Sequence, residues 1–245
     1  MTKLSVNVNK VATLRNSRGG HEPKLLDAVD VCLAAGAPGI TVHPRADRRH
    51  ITPDDVRAIA AALKSHPAVE YNIEGDPRPE LLDLVDEIRP NQCTLVPVAP
   101  GEVTSHAGWQ PGPGTDRLPD VIRRLQAIDV RVSLFVDATP DAIRWAASTG
   151  ARRVELYTEP FARAFERGPD AGRESFAVYA DAARLAHSLG LGINAGHDLD
   201  LANLTIFRDL PWLDEVSIGH AIMSRALFVG LSAVVGEYLQ VLGGV

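Results

Sequence analysis

Gly39-Ile40-Thr41-Val42-His43-Pro44-Arg45 runs on as Ala46-Asp47-Arg48-Arg49-His50, so a β-branched apolar run stops abruptly in two histidines and three arginines. A buried parallel strand reads as such a run and delivers its chemistry at its carboxyl end. Arginine forks match a phosphate or carboxylate, and histidine changes charge near neutral pH. A solvated strand–helix loop would also be charged, so the reading depends on whether the pattern recurs.

It does recur. Short runs rich in Val, Ile or Leu predict strands at Leu4–Asn9, Gly39–His43, Val69–Ile73, Gln92–Val96, Arg131–Val136, Arg153–Tyr157, Gly192–Ala195 and Glu215–Ile218. Amphipathic stretches lie between them. Pro53–Leu63 follows Thr52, and Pro140–Ser148 follows Thr139, each a good N-cap. Glu174–Leu189 carries Phe176, Ala180 and Ala183 at helical spacing. Glycines Gly36, Gly150 and Gly190 stand where helices hand over to strands. Eight β–α alternations in 245 residues predict an α/β fold, a (β/α)8 barrel with additional helices, as one domain over 1–245. A doubly wound open sheet is the alternative, but the turn after the first strand lacks a Gly-rich phosphate loop. Pro97–Asp116 is long, Gly/Pro-rich and aperiodic, which predicts an active-site lid over 97–116.

The totals exclude several classes. A net charge of -6 argues against bulk nucleic-acid binding, so any anion site must be built locally. Cys32 and Cys93 sit in apolar sequence and predict buried thiols, neither a disulfide framework nor a zinc motif. Met1–Ser5 opens no long apolar region, and no run reaches membrane-spanning length, so a cytoplasmic protein is expected.

Polar groups at the carboxyl ends of barrel strands share one cleft. The candidates are Asn7 and Asn9, with Lys10, Arg15 and Arg18 beyond them; His43, Arg45 and His50; Glu70; Thr104 in the lid; Glu155; Asn194 and His197; and Gly219 with His220. Asn7 and Asn9 could equally close backbone hydrogen bonds at a strand end. A carboxylate at Glu70 inside a barrel must be paired or protonated, which favours function there, whereas Glu74 reads as a solvated loop residue. Gly219 and His220 open a helix and offer its amino end to an anion. No metal is expected, because strand one has no His-X-His and the arginines beside the histidines repel a divalent cation.

Asn7-Val8-Asn9-Lys10-Val11-Ala12-Thr13-Leu14-Arg15-Asn16-Ser17-Arg18-Gly19 resembles the opening motif of the pyridoxine 5′-phosphate synthase family. Ile40 to Ile51, Asn194-Ala195-Gly196-His197 and Ile218-Gly219-His220-Ala221-Ile222 complete the family's set in order, across essentially the whole chain. The resemblance implies a transferase of vitamin B6 biosynthesis that assembles as a homo-octamer and needs no organic cofactor. It condenses 3-amino-2-oxopropyl phosphate with 1-deoxy-D-xylulose 5-phosphate to give pyridoxine 5′-phosphate, phosphate and water. It further implies acid–base roles for His43, Glu70 and His197, with Glu155 tuning proton transfer. Gly219, His220, the Asp198 amide and Arg18 match the amino-substrate phosphate site; Arg45, His50 and Thr104 match the sugar phosphate site. Asn9 and Lys10 depart from the Asp-His of some members, and Asp198 stands where glycine is often found. A second enzyme reading is a barrel phosphosugar isomerase or aldolase; a non-catalytic phosphate-ligand binder is a third. Apolar residues on more than one face of Ala226–Leu239 point to burial by another subunit.

Overall fold

A computed structural model describes residues 1–98 and 107–243. Its strands are β1 (Lys3–Asn7), β2 (Gly39–Val42), β3 (Glu70–Gly75), β4 (Gln92–Leu95), β5 (Arg131–Val136), β6 (Arg153–Tyr157), β7 (Gly192–Gly196) and β8 (Leu213–Ile218). They pair in parallel and in chain order, and β8 closes on β1, so the sheet is a closed eight-stranded barrel. The expected fold class holds; β5 and β6 match their expected bounds, and the other strand ends differ by at most two residues.

After β1 come α1 (Asn9–Asn16) and α2 (Leu25–Ala34); α3 (Pro53–Leu63), α4 (Pro79–Ile88), α5 (Leu118–Gln126) and α6 (Pro140–Ser148) follow the next strands. β6 leads into α7 (Glu159–Glu166) and α8 (Pro169–Ser188), β7 into α9 (Leu204–Phe207), and β8 into α10 (His220–Val229) and α11 (Leu231–Val241). Local chemistry starts several of these helices. Thr52 and Asp55 form a reciprocal capping box on α3, and the Thr139 hydroxyl accepts from Ala142 on α6, each ahead of a proline in the first turn.

The barrel wall divides the side chains by the period of two. Leu4, Val6, Ile40, Val42, Ile73, Cys93, Leu95, Val132, Leu134, Val154, Leu156, Ile193, Val216 and Ile218 are buried in the main apolar core, which the helices share. The alternate positions carry the polar set. Gln92 of β4 donates to Glu215 of β8 (3.2 Å), Asn194 of β7 donates to Gln92 (3.2 Å), and Ser217 of β8 donates to Glu74 of β3 (3.3 Å). These strands are not neighbours, so the bonds cross the lumen. Branched apolar side chains fill most barrels of this kind. Here the lumen is hydrogen-bonded and charged, and each of its polar groups must find a partner or stay neutral.

Candidate active site

The carboxyl ends of the strands gather the chemistry. β1 ends at Asn7, whose Nδ2 donates to Glu74 Oε2 (3.4 Å) and whose Oδ1 accepts from the Asn9 amide (3.0 Å). Asn9 lies in the first turn of α1 and accepts from the His43 amide through Oδ1 (2.9 Å). The two asparagines tie the ends of β1, β2 and β3 together, a structural duty that leaves Asn7 beside the reactive carboxylate. Arg15 of α1 grips Asp55 of α3 through two nitrogens (2.6 and 2.9 Å), and Asn16 donates to the His50 carbonyl (2.9 Å). The loop after β2 is thereby fastened to α1.

Glu74 is the centre of the site. It lies in β3, where Glu70, Asn72 and Glu74 alternate along one face. Its Oε2 is 3.9 Å from His43 Nδ1. Burial, with the charge of Glu215 behind it, pushes its carboxyl up to about 7 despite the Ser217 hydroxyl. His43 moves the other way: burial, with His50, Arg45 and Arg78 nearby, pushes its imidazole down to about 3. A carboxyl near the midpoint of its titration and a neutral imidazole therefore stand side by side at neutral pH, and of the two the carboxyl is the group placed to give or take a proton.

Glu70, expected at the site, lies apart from Glu74 and His43. It is the first residue of β3, at the opposite end of the barrel, and its carboxylate pairs with Lys3 and Arg131. Those cations hold its proton affinity below the ordinary carboxylate value despite the counter-effect of burial. The sequence argument that a carboxylate in the lumen must be paired or protonated was sound, but Glu70 takes the paired branch. Glu74 was assigned to a solvated loop because the strand was ended at Ile73. The missed signal was the alternation itself, which carries the strand's inward face on to Glu74.

Glu155 lies deeper, 4% exposed on β6. Burial and the charges of Glu74 and Glu215 raise its proton affinity well above normal, and its Oε2 has no hydrogen-bond partner among the described residues. It shares its level with Asn194, its register partner on β7. Gly196 leaves room for it: a Cβ there would stand 2.3 Å from Glu155 Oε1.

Two anion-attracting corners flank the carboxylates. In the first, Arg45 is buried, and burial, with the charges of Arg45 and Lys10, pushes His50 down to about 4. The one carboxylate in that cluster, Asp47, is taken by Arg49 through Nε (2.8 Å). The second corner lies at the ends of β7 and β8. His197 and Asp198 both adopt positive φ (87° and 58°), a backbone that costs a non-glycine residue roughly 1–2 kcal/mol and marks a constrained turn. The Thr158 hydroxyl secures it against the Gly196 carbonyl (2.7 Å) and the His197 carbonyl. Asp198 Oδ2 lies 3.2 Å from His197 Nδ1. Gly219 caps α10 and His220 is its first residue, with Nε2 3.3 Å from Ser224 Oγ. A Cβ on Gly219 would meet Asn7 at 3.0 Å, so glycine lets these two strand ends approach.

Other candidates fall elsewhere. Lys10 is exposed on the first turn of α1, close enough to act on His50. Arg18 is exposed beyond α1, and its guanidinium makes no hydrogen bond or ion pair among the described residues. Thr104 lies outside the described residues. Trp109 donates through its indole to the Leu95 carbonyl (2.9 Å) and through its amide to the Phe135 carbonyl (2.8 Å). It seals the ends of β4 and β5 beside an apolar wall of Val96, Phe135 and Tyr157, and Tyr157 meets the His197 ring edge-on at 5.1 Å.

Comparison with known proteins follows the same lines. The structure resembles phosphoribosyl anthranilate isomerase from Thermotoga maritima (TM-score 0.62, 14% identity, 100% of both chains). It also resembles a 3-hexulose-6-phosphate synthase (TM-score 0.64, 15% identity, 98% of this chain and 100% of the other). At those identities the likeness shows the barrel alone. Sequence relatives are much nearer. Pyridoxine 5′-phosphate synthase of Bacteroides thetaiotaomicron is 49% identical over 239 residues, covering 97% of this chain and 98% of that protein. The enzyme of that name from Xanthomonas oryzae pv. oryzae is 51% identical over 251 residues, covering 99% and 97%. The model of the family "Pyridoxal phosphate biosynthesis protein PdxJ" matches residues 4–244, and the chain belongs to that family.

Proposed function

We infer that this protein is a pyridoxine 5′-phosphate synthase: it joins 3-amino-2-oxopropyl phosphate to 1-deoxy-D-xylulose 5-phosphate and releases phosphate and water. The observation that carries the chemical reading is Glu74, a buried carboxyl tuned to about 7 beside a neutral His43, between two anion-attracting corners. The amine must lose a proton as it attacks the ketone, the departing hydroxyl must gain one, and ring closure moves further protons. A group tuned near the working pH serves as acid and base in turn. Glu74 takes that role, which the sequence had given to Glu70. His43 orients a substrate oxygen, and Glu155, held neutral, can offer a proton from below. The α10 amino end, with Gly219, His220 and the Asp198 amide, receives the amino substrate's phosphate. The Arg45, His50 and Lys10 corner receives the sugar phosphate. Arg18 and Thr104 remain assigned to these two phosphates by resemblance.

Pro97–Asp116, of which 99–106 lie outside the described residues, is read as the lid that keeps water from the imine. The anchoring of Gly108, Trp109 and Gln110 to β4 and β5 supports this: Gly108 donates to Asp137 (2.9 Å) and Gln110 to the same carboxylate (2.6 Å). The chain works in the cytoplasm as a single domain and assembles as a homo-octamer. No described helix is long and apolar enough to cross a membrane, and α10 leaves Leu227 and Phe228 mostly exposed at its end. Phe228→Lys is expected to lower the assembled mass in light scattering; an unchanged mass would remove α10 from the interface.

The test mixes purified protein with both substrates and follows phosphate and pyridoxine 5′-phosphate together. Equal formation of the two is expected. Glu74→Gln should lower kcat about 10²- to 10⁴-fold while KM changes little. Glu70→Gln should mainly lower Tm. Activity that survives Glu74→Gln and dies in a folded Glu70→Gln protein would reverse the assignment.

A further inference from the structure

Among the described residues, the reaction as read above leaves one buried lumen carboxylate unused. Glu215 lies near the foot of β8, 2% exposed, facing the lumen. We propose that Glu215 is a positioning residue for the reaction, acting through the lumen to keep a proton at the Glu74–Glu155 end. The proposal rests on the reading of Glu74 as the base.

Its geometry carries the argument. Glu155 on β6 pairs in register with Asn194 on β7, and Asn194 pairs with Glu215 on β8. Asn194 Nδ2 donates to Glu215 Oε1 (3.2 Å), and Gln92 Nε2 donates to the same oxygen (3.2 Å). Gln92 also reaches Thr94 (3.5 Å), whose hydroxyl donates to Asn72 of β3 (3.1 Å). Only neutral side chains, Asn194, Gln92 and Thr94, therefore stand between the two carboxylates on this side of the lumen.

The cations at the foot are committed elsewhere. Lys3 and Arg131 both pair with Glu70. Arg153 donates to Asn194 Oδ1 (2.7 Å) and lies 3.6 Å from Asp214 Oδ2. Among the described residues no cation comes within ion-pair distance of Glu215, so amide donors alone hold it. The charged groups facing it are Lys3 from β1, Glu70 and Glu74 from β3, Arg131 from β5, and Arg153 and Glu155 from β6, with Asp214 beside it on β8. β2, β4 and β7 present neutral Thr41, Gln92, Thr94 and Asn194. Burial and the charge of Glu70 raise Glu215's own proton affinity, so the effect sets in as that carboxyl ionises; a charge that no contact cation cancels then acts over a long range in a buried, low-dielectric lumen. It opposes a second negative charge at Glu155 or Glu74, so protons are held above it. The proton affinities agree, since Glu74 and Glu155 are both raised by Glu215.

Glu215→Gln keeps the acceptor oxygen and the volume and removes the charge. Losing that charge makes Glu74 easier to ionise. The acid limb of kcat/KM should then move to lower pH by about half a unit or more, and persist in high salt because the lumen is shielded. Asp214→Asn removes a carboxylate with 42% side-chain exposure and should leave the limb in place. A folded Glu215→Gln protein with an unmoved limb overturns the proposal, even if its activity falls uniformly, because a purely structural role lowers rate without moving the limb. Glu74→Gln run alongside separates the two ideas. If it stays active, the base assignment fails; if it is dead while the Glu215→Gln limb is unmoved, only the present inference fails. Should Glu215→Gln not fold, infrared titration of carboxyl bands in wild type and Glu74→Gln decides. Lumen acids whose midpoints shift on loss of Glu74 support the coupling; unshifted, independent midpoints overturn it.

Discussion

At Lys10 a single ammonium stands on the first turn of α1, where the helix's own positive end disfavours it. It is exposed, and its charge reaches His50, helping to hold that imidazole neutral. A cation so placed gains most when an anion lies between it and Arg45. Lys10→Ala should therefore raise KM for the sugar phosphate about three- to tenfold and leave kcat nearly unchanged, since the contact exists in ground and transition states alike. Steady-state kinetics with the amino substrate saturating would read this directly, and an unchanged KM would end the binding role. Glu70 and Glu74 show at the same scale what a sequence holds and what it hides. Both carboxylates were visible, and both face the lumen. The outcome turned on two residues of strand length, because Glu70 meets Lys3 and Arg131 at one end while Glu74 meets His43, Asn7 and Ser217 at the other. Partners contributed by distant strands cannot be read from spacing.

Among the elements, the turn that leaves β7 is held most tightly by one hydroxyl. Thr158, fully buried after β6, secures the Gly196 and His197 carbonyls, and Asn203 donates to the Asp198 carbonyl from below (2.9 Å). These bonds offset the positive φ at His197 and Asp198. Thr158→Val keeps the volume and deletes the hydroxyl donor, so the His197 carbonyl loses that bond while the Gly196 carbonyl keeps the Thr158 amide (3.0 Å). A loss of about 1–3 kcal/mol in denaturant unfolding is expected, with a higher KM for the amino substrate because the Asp198 amide is no longer fixed. A stability change without any kinetic change would show that the turn does not shape the phosphate corner. The helices and strands themselves were legible: Thr52 and Thr139 cap where predicted, and each apolar run became a strand. The turn's constraint was not, because Thr158 sits about 40 residues before the carbonyls it holds.

Across the whole molecule, the closed barrel followed from counting β–α alternations, while the polar lumen did not, because most of the strands' apolar residues serve the outer face, Phe135 and Tyr157 being exceptions at the site's rim. That lumen sets how stability depends on pH. Glu74, raised from 4.5 to about 7, and Glu155 and Glu215, also raised, bind protons in the folded state that the unfolded chain has released. Their contribution is present below pH 4.5 and is lost as pH rises through the folded values. His43 and His50, lowered from 6.5 to about 3 and about 4, do the reverse, costing stability as pH falls below 6.5. The slopes oppose each other between 4.5 and 6.5, whereas above 6.5 only the carboxylates still titrate. Tm should therefore be highest in mildly acidic solution and decline as pH rises through about 7. Glu155→Gln, neutral at every pH, should flatten that alkaline decline and leave the acid side unchanged. Differential scanning calorimetry from acid to alkaline pH reads both. A wild-type Tm that climbs steadily through neutrality would mean that the lumen carboxylates are ionised and paired, and the proton store attributed to them would be absent.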